Sequence, residues 1–259
     1  MKESESVEVK LEDTNNSLIH KNALVDKNAY IDTFSIIGKG VKIENGAYIS
    51  KGVKIYGNAL IESGTYIGEN CIIGHPQRAE LLTIVKSRRN VTEYESPLVS
   101  IGTNCTIRAG SIIYSEVSIG DNCQTGHNVM IREKTSIGHD TVIGTNAVID
   151  GNVVIGNKVS IQTGVYIPLY CKIGNNVFMG PFSKLTNDKY MMRKEFDLIG
   201  PTIEDEVSLG ANSVILPGIT LKRGTIVGAG AVVTKNTKER DIVVGNPAEV
   251  LKKKPADWI

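Results

Sequence analysis

The chain has 259 residues, 41% of them hydrophobic and 22% charged, and its 29 Lys and Arg against 28 Asp and Glu leave a net charge of +1. That balance supplies no basic field for nucleic acid. No apolar run is long enough to span a bilayer, and the opening KESESVEVKLED is polar and lacks a secretory core, so the expectation is a cytoplasmic protein that engages no membrane.

Residues 1–16 form a polar N-terminal segment that precedes a repeat. From Ile19 a branched aliphatic recurs every sixth residue, at Val25, Ile31, Ile37, Ile43, Ile49, Ile55, Ile61, Ile67 and Ile73. A small or β-branched residue follows each anchor by four, and three after the anchor the residue is mostly Asn or Gly, which tolerate positive φ at a tight corner. A helix has no period of six; this one belongs to a parallel β-helix, with three hexapeptides per coil. About ten coils at ~4.8 Å make a rod near 50 Å. Phe34, Glu116, Lys134, Tyr170 and Phe182 stand at corners as exceptions. Tyr30, Tyr48 and Tyr66 recur every eighteen residues and read equally as an external ladder or a subunit contact.

The repeat breaks at 75–98, where Arg78, Lys86, Arg88 and Arg89 offer charge for a phosphate, although a solvated loop over a sheet face explains them better. It resumes from Ile101 to Leu185 with one polar anchor, Thr125. His127 follows by two, at a corner that points its imidazole outward, which makes it the candidate catalytic base; a surface histidine without a role is the alternative. His139 sits on a different face, and His20 and His75 are less favoured. Cys71, Cys105, Cys123 and Cys171 all fall on the small inward position and read as buried thiols in a reducing compartment. No pair of the four histidines has ligand spacing, so no metal is expected and a zinc carbonic anhydrase on this repeat is disfavoured. A second break at 186–202 carries Asn187, Asp188, Tyr190 and Arg193. The repeat then runs from Ile203 to Val233, and 246–259, with Pro247 near its start, is expected to be a short basic capping helix.

From Ile101 onward, TGHNVMIREKTSIG, SIQTGVYIP, NNVFMGPFSKLTNDKY, LGANSVILPGITL, IVGAGAVVTK and VVGNPAEVLKK resemble the hexapeptide-repeat acyltransferases, and among them the sugar-nucleotide N-acetyltransferases. The resemblance implies an all-β, single-domain, left-handed parallel β-helix over 17–245. It implies transfer of an acyl group from acetyl-CoA, or another acyl-CoA, to the amine of a nucleotide-linked amino sugar, in a homotrimer with shared sites. Carried over by residue, His127 would sit beside the acceptor amine, and Asn187, Asp188 and Tyr190 would line the acceptor loop. Gly210, Ala211, Gly228 and Ala229 would make room for the pantetheine arm, and Lys235 would meet a CoA phosphate. The loop departs from its relatives at Met191 and Met192, where a proline often follows the tyrosine. O-acylation of a sugar hydroxyl and a non-catalytic β-helix scaffold remain as alternatives.

Overall fold

Most hexapeptides contribute a strand of two or three residues that ends on the aliphatic anchor, as in Lys42–Ile43, Tyr48–Ile49 and Lys54–Ile55. The computed structural model describes residues 11–14, 16–255 and 258. Its strands form three flat sheets: sheet I carries Ile19, Ile37 and Ile55, sheet II Val25, Ile43 and Ile61, and sheet III Ile31, Ile49 and Ile67. Sheets I and III have 12 strands each and sheet II has 10, and every neighbour within the coil stack is parallel and in register, anchor on anchor. The result is a parallel β-solenoid, the architecture of the left-handed β-helix.

The anchors fill the prism: Ile37, Ile49, Ile55, Ile61, Ile67 and Ile73 are all 0% exposed. At ~1.5–3 kcal/mol per buried branched side chain, this column is the main stabilising term of the fold. The polar anchor fits because its hydroxyl is satisfied: buried Thr125 accepts the Arg108 N–H at 2.9 Å. All four cysteines are buried free thiols; burial pushes Cys71 up to about 11 and Cys171 up to about 12.

At the corners, φ is positive for Gly40, Asn104, Asn146 and Gly164 as expected. The bulky exceptions keep the same backbone: φ is 61° at Phe34, 59° at Glu116, 56° at Lys134, 68° at Tyr170 and 58° at Phe182. The corner relaxes residue type and leaves the conformation unchanged, at a cost of roughly 1–2 kcal/mol for each such residue.

Both insertions leave the prism where sheet I passes into sheet II. The first is more than a loop. It holds helix α1 (Arg78–Ser87), started by a capping box in which Glu80 accepts the Gln77 N–H at 2.9 Å. The chain after α1 returns along the same prism edge as a strap. Thr92 accepts the Lys39 N–H at 3.0 Å, Ser96 Oγ accepts the Asn58 N–H at 3.2 Å, and Glu95 pairs with Lys39. Buried His20 closes it: its Nδ1 accepts the Asn22 N–H at 3.0 Å, so Nε2 carries the proton donated to Glu93 at 3.0 Å. A Cβ on Gly57 would lie 2.0 Å from Ser96 Oγ, so that glycine is what lets the strap seat.

The rod's ends are hairpins. Leu11–Thr14 pairs antiparallel with Ser17–His20, so part of the N-terminal segment makes a local contact; residues 1–10 and 15 lie outside the described residues. The expected C-terminal helix over 246–259 is corrected for residues 246–255; residues 256, 257 and 259 lie outside the described residues. Asp241–Val244 continues sheet III, the chain reverses, and Glu249–Lys253 pairs antiparallel with it. An open edge strand presents unpaired N–H and C=O groups, and pairing them outweighs the local helix signals of Pro247 and the lysines.

Candidate active site on a prism edge

The edge where sheet III passes into sheet I carries His127. Residues equivalent to it by register form one column that includes Thr145, Thr163, Pro181, Ala211 and Ala229. Its neighbours one position earlier are mostly glycine, because successive coils approach too closely for anything larger. A Cβ would stand 2.3 Å from Thr145 N at Gly126, 2.4 Å from Gln162 C at Gly144, 2.7 Å from Ala211 N at Gly180 and 2.4 Å from Ala229 N at Gly210. At Gly228 it would meet Val244 Cγ1 at 2.8 Å. Gly210 and Gly228 are therefore fixed by coil-to-coil packing. The outer surface of the track is made by Ala211, which is half-buried, and Ala229, which is exposed.

His127 is exposed, and its backbone is held by N–H donation to Thr145 Oγ1 at 3.2 Å and by the Asn146 N–H at 2.9 Å. Its imidazole has no hydrogen-bond partner among the described residues. A rigid corner with a free ring is an arrangement that can take a proton from a group docked beside it.

The other histidines are occupied. On the edge from sheet II to sheet III, His139 is a rung of a side-chain-to-backbone ladder: its Nδ1 accepts the Asp121 N–H at 3.0 Å. Asp121 accepts the Thr103 N–H at 2.8 Å, Asn157 the His139 N–H at 2.8 Å, Asn175 the Asn157 N–H at 2.8 Å, and Asp205 the Asn175 N–H at 2.7 Å. The Thr103 backbone N–H holds the Asp121 carboxyl below its usual range. His75 Nδ1 lies 2.8 Å from the Pro76 carbonyl, and its ring packs on Tyr114.

Asn187, Asp188 and Tyr190 lie on the edge from sheet I to sheet II, so one chain does not bring them to His127. Asn187 donates to the Leu169 carbonyl at 3.4 Å. Both Asp188 oxygens are committed to the loop itself, accepting the N–H groups of Tyr190 at 2.9 Å, Met191 at 2.8 Å and Met192 at 3.0 Å. Met191 and Met192 are held at φ 50° and 62° and are 77% and 93% exposed. Tyr190 meets Phe196 edge-to-face at 5.2 Å. Lys235 is on this same edge, exposed, 3.5 Å from Glu249, and so stands across sheet I from the Gly–Ala pairs.

Between the two insertions this edge also holds a cluster that the hexapeptide pattern did not single out. Arg132 bonds Asp150 at 2.9 Å and Glu133 at 2.9 Å, and Tyr166 reaches Asp150 at 3.3 Å. Two shallow concavities, of about 570 Å³ beside Lys172, Thr202 and Arg223 and about 530 Å³ within the second insertion, both lie away from His127. No group of three His, Cys, Asp or Glu among the described residues could hold a metal ion.

Residues 16–51, 99–133 and 200–235 match the family described as bacterial transferase hexapeptide (six repeats), and 134–168 match the hexapeptide repeat of succinyl-transferase, together more than half of the chain. The chain belongs to the hexapeptide-repeat transferases. Within that family, it is 50% identical over 50 residues to a 2,3,4,5-tetrahydropyridine-2,6-dicarboxylate N-acetyltransferase of Staphylococcus aureus, a match covering 19% of this chain and 21% of that protein. The chain thus spans about a fifth of the length of the curated relatives it matches. Among solved structures, it is similar to the UDP-N-acetylglucosamine O-acyltransferase of Moraxella catarrhalis, at 18% identity and a TM-score of 0.49 over 92% of this chain and 73% of that one. It is also similar to PerB of Caulobacter crescentus, solved with CoA and GDP-perosamine, at 19% identity and a TM-score of 0.37 over 72% and 71%.

Proposed function

We propose that the protein is an acyl-CoA-dependent N-acyltransferase acting on a nucleotide-linked amino sugar. The observation that carries the acyltransferase reading is an unpartnered, exposed imidazole on a rigid prism edge of a hexapeptide-repeat transferase, in one column with the Ala211 and Ala229 track. Ala211 is four coil spacings from His127, roughly 19 Å. An acyl-CoA lying along the track would direct its thioester toward the histidine. The amine nitrogen attacks the thioester carbonyl carbon, the C–N bond forms, and His127 accepts the proton shed by nitrogen. The C–S bond then breaks, and the departing thiolate is protonated as the imidazole is restored.

One chain leaves this site open. Asn187, Asp188, Tyr190 and Lys235 stand on the opposite border of sheet I, and the outward residues of that sheet include Leu18, Ile36, Ile72, Ile112, Met130, Val148 and Val214, broken by Lys54 and Lys184. A parallel homotrimer with sheet I toward its axis would bring the insertion edge of one protomer to the His127 edge of the next. The test is thiol release from acetyl-CoA on adding amino-sugar nucleotides, with mass spectrometry of the acceptor. An acetylated amine supports the reading. Acetylation only of hydroxyl-bearing acceptors would shift it to O-acylation, and no transfer to either kind of acceptor would leave the scaffold.

A further inference from the structure

Helix α1 buries none of its ten residues in its own chain: Leu81, Leu82 and Val85 are 37%, 49% and 65% exposed. A helix this short is marginal in water without packing on an apolar face. Both of its ends are nonetheless fixed, by the strand ending at His75 and by the strap returning through Thr92 and Ser96. It is presented rigidly, uncovered. Arg78, Lys86, Arg88 and Arg89 border its apolar side, and none forms an ion pair with a described residue.

We infer that α1 docks on a second copy of this chain, against the edge from sheet III to sheet I at Phe34 and Glu69. Phe34 is 57% exposed and held outward at φ 61°, and Lys51 Nζ, 5.2 Å from its ring, covers it on one side only, so more than half of its apolar surface is left for a partner. Two coils further on, the same edge presents exposed Glu69, which complements the helix cations at that end, whereas Lys51 stands beside Phe34 at the other, where the apolar side chains of the helix would meet it. The heights agree. Rotation about an axis parallel to the solenoid preserves axial position, α1 leaves the strand Ile72–His75 that directly follows Glu69, and its strap reaches Lys39 and His20 in the first two coils. Ten helical residues span about 15 Å, three coil spacings, which brackets Phe34 to Glu69. A second prism is favoured over a lipid surface because the apolar stripe continues from the α1 edge along sheet I through Ile72 and Ile112 on a flat, rigid face.

This inference rests on the self-association proposed above, and the test separates the two. The full-length Phe34→Cys/Val85→Cys double variant, oxidised under native conditions, is expected to give chains covalently linked in a ring, whereas either single variant stays uncrosslinked. In sedimentation velocity, Val85→Glu is expected to weaken association about tenfold or more, and Arg88→Glu combined with Glu69→Arg should recover more of it than either alone. A wild-type monomer would remove both the trimer and this contact. A trimer without the cross-link, with association unaffected by Val85→Glu, would overturn the contact alone. So would co-sedimentation of the wild type with phosphatidylserine vesicles that Val85→Glu abolishes, which would assign the helix to a membrane surface.

Discussion

Replacing His127 by asparagine keeps a corner residue with a polar side chain while removing the proton acceptor. If the imidazole takes the amine proton, kcat falls by about 10² to 10⁴ with acyl-CoA affinity unchanged, as steady-state kinetics and calorimetry on one preparation would show; near wild-type turnover would leave His127 without that role. At the same scale, the track glycines make a stability prediction. Gly144→Ala places a Cβ 2.4 Å from the next coil's backbone, whereas Gly230 has nothing within 4 Å and only its φ of 69° to oppose a side chain. Thermal unfolding should show Gly144→Ala destabilised by about 1–3 kcal/mol and Gly230→Ala by about 1 kcal/mol; the reverse order would mean that coil spacing at this edge is looser than the structure has it. The corner conformation and the inward cysteines were legible in the sequence because a period of six fixes which way each side chain points. The role of His139 was not legible at that period. Its ladder repeats at eighteen, where Asp121, His139 and Asn157 align as hydrogen-bond acceptors.

The insertions and the C-terminal end mark the limit of that reading at the scale of elements. Where the hexapeptide stops, so does the periodic signal, and placement depends on non-local contacts such as His20 with Glu93 or Asn58 with Ser96, far apart in sequence. The C-terminal hairpin was missed because an unpaired strand edge, which no local pattern records, decides it. Asp241 is the electrostatic lock of that hairpin. Burial alone would raise its pKa, but Lys253 Nζ at 2.7 Å and the Lys238 N–H at 2.8 Å outweigh burial and hold the carboxyl below its ordinary value of 3.8. A carboxyl lowered in the folded state contributes stability that is complete above 3.8 and is lost as pH falls through the lower folded value. Protection factors at 241–253, taken relative to the intrinsic exchange rate at each pH, should therefore fall on acidification below about pH 4. Asp241→Asn should show fast exchange there already at neutral pH. Equal protection in both proteins at pH 7 would rule out the lock.

For the whole molecule, a rigid prism with its candidate residues divided between two edges predicts that activity follows assembly. If the proposed trimer forms, specific activity should fall on dilution in parallel with the assembled fraction measured by light scattering, and activity that persists in isolated monomers would confine the site to one chain. The claim on which the rest depends is that this edge receives an acyl-CoA. Calorimetric titration of acetyl-CoA into the wild-type protein tests it most directly. Saturable binding at one site per chain, retained in His127→Asn and weakened when Ala229 is replaced by a bulky residue that leaves the fold intact, is the predicted result; no heat of binding at any acetyl-CoA concentration, with thermal unfolding unshifted by the ligand, would contradict it.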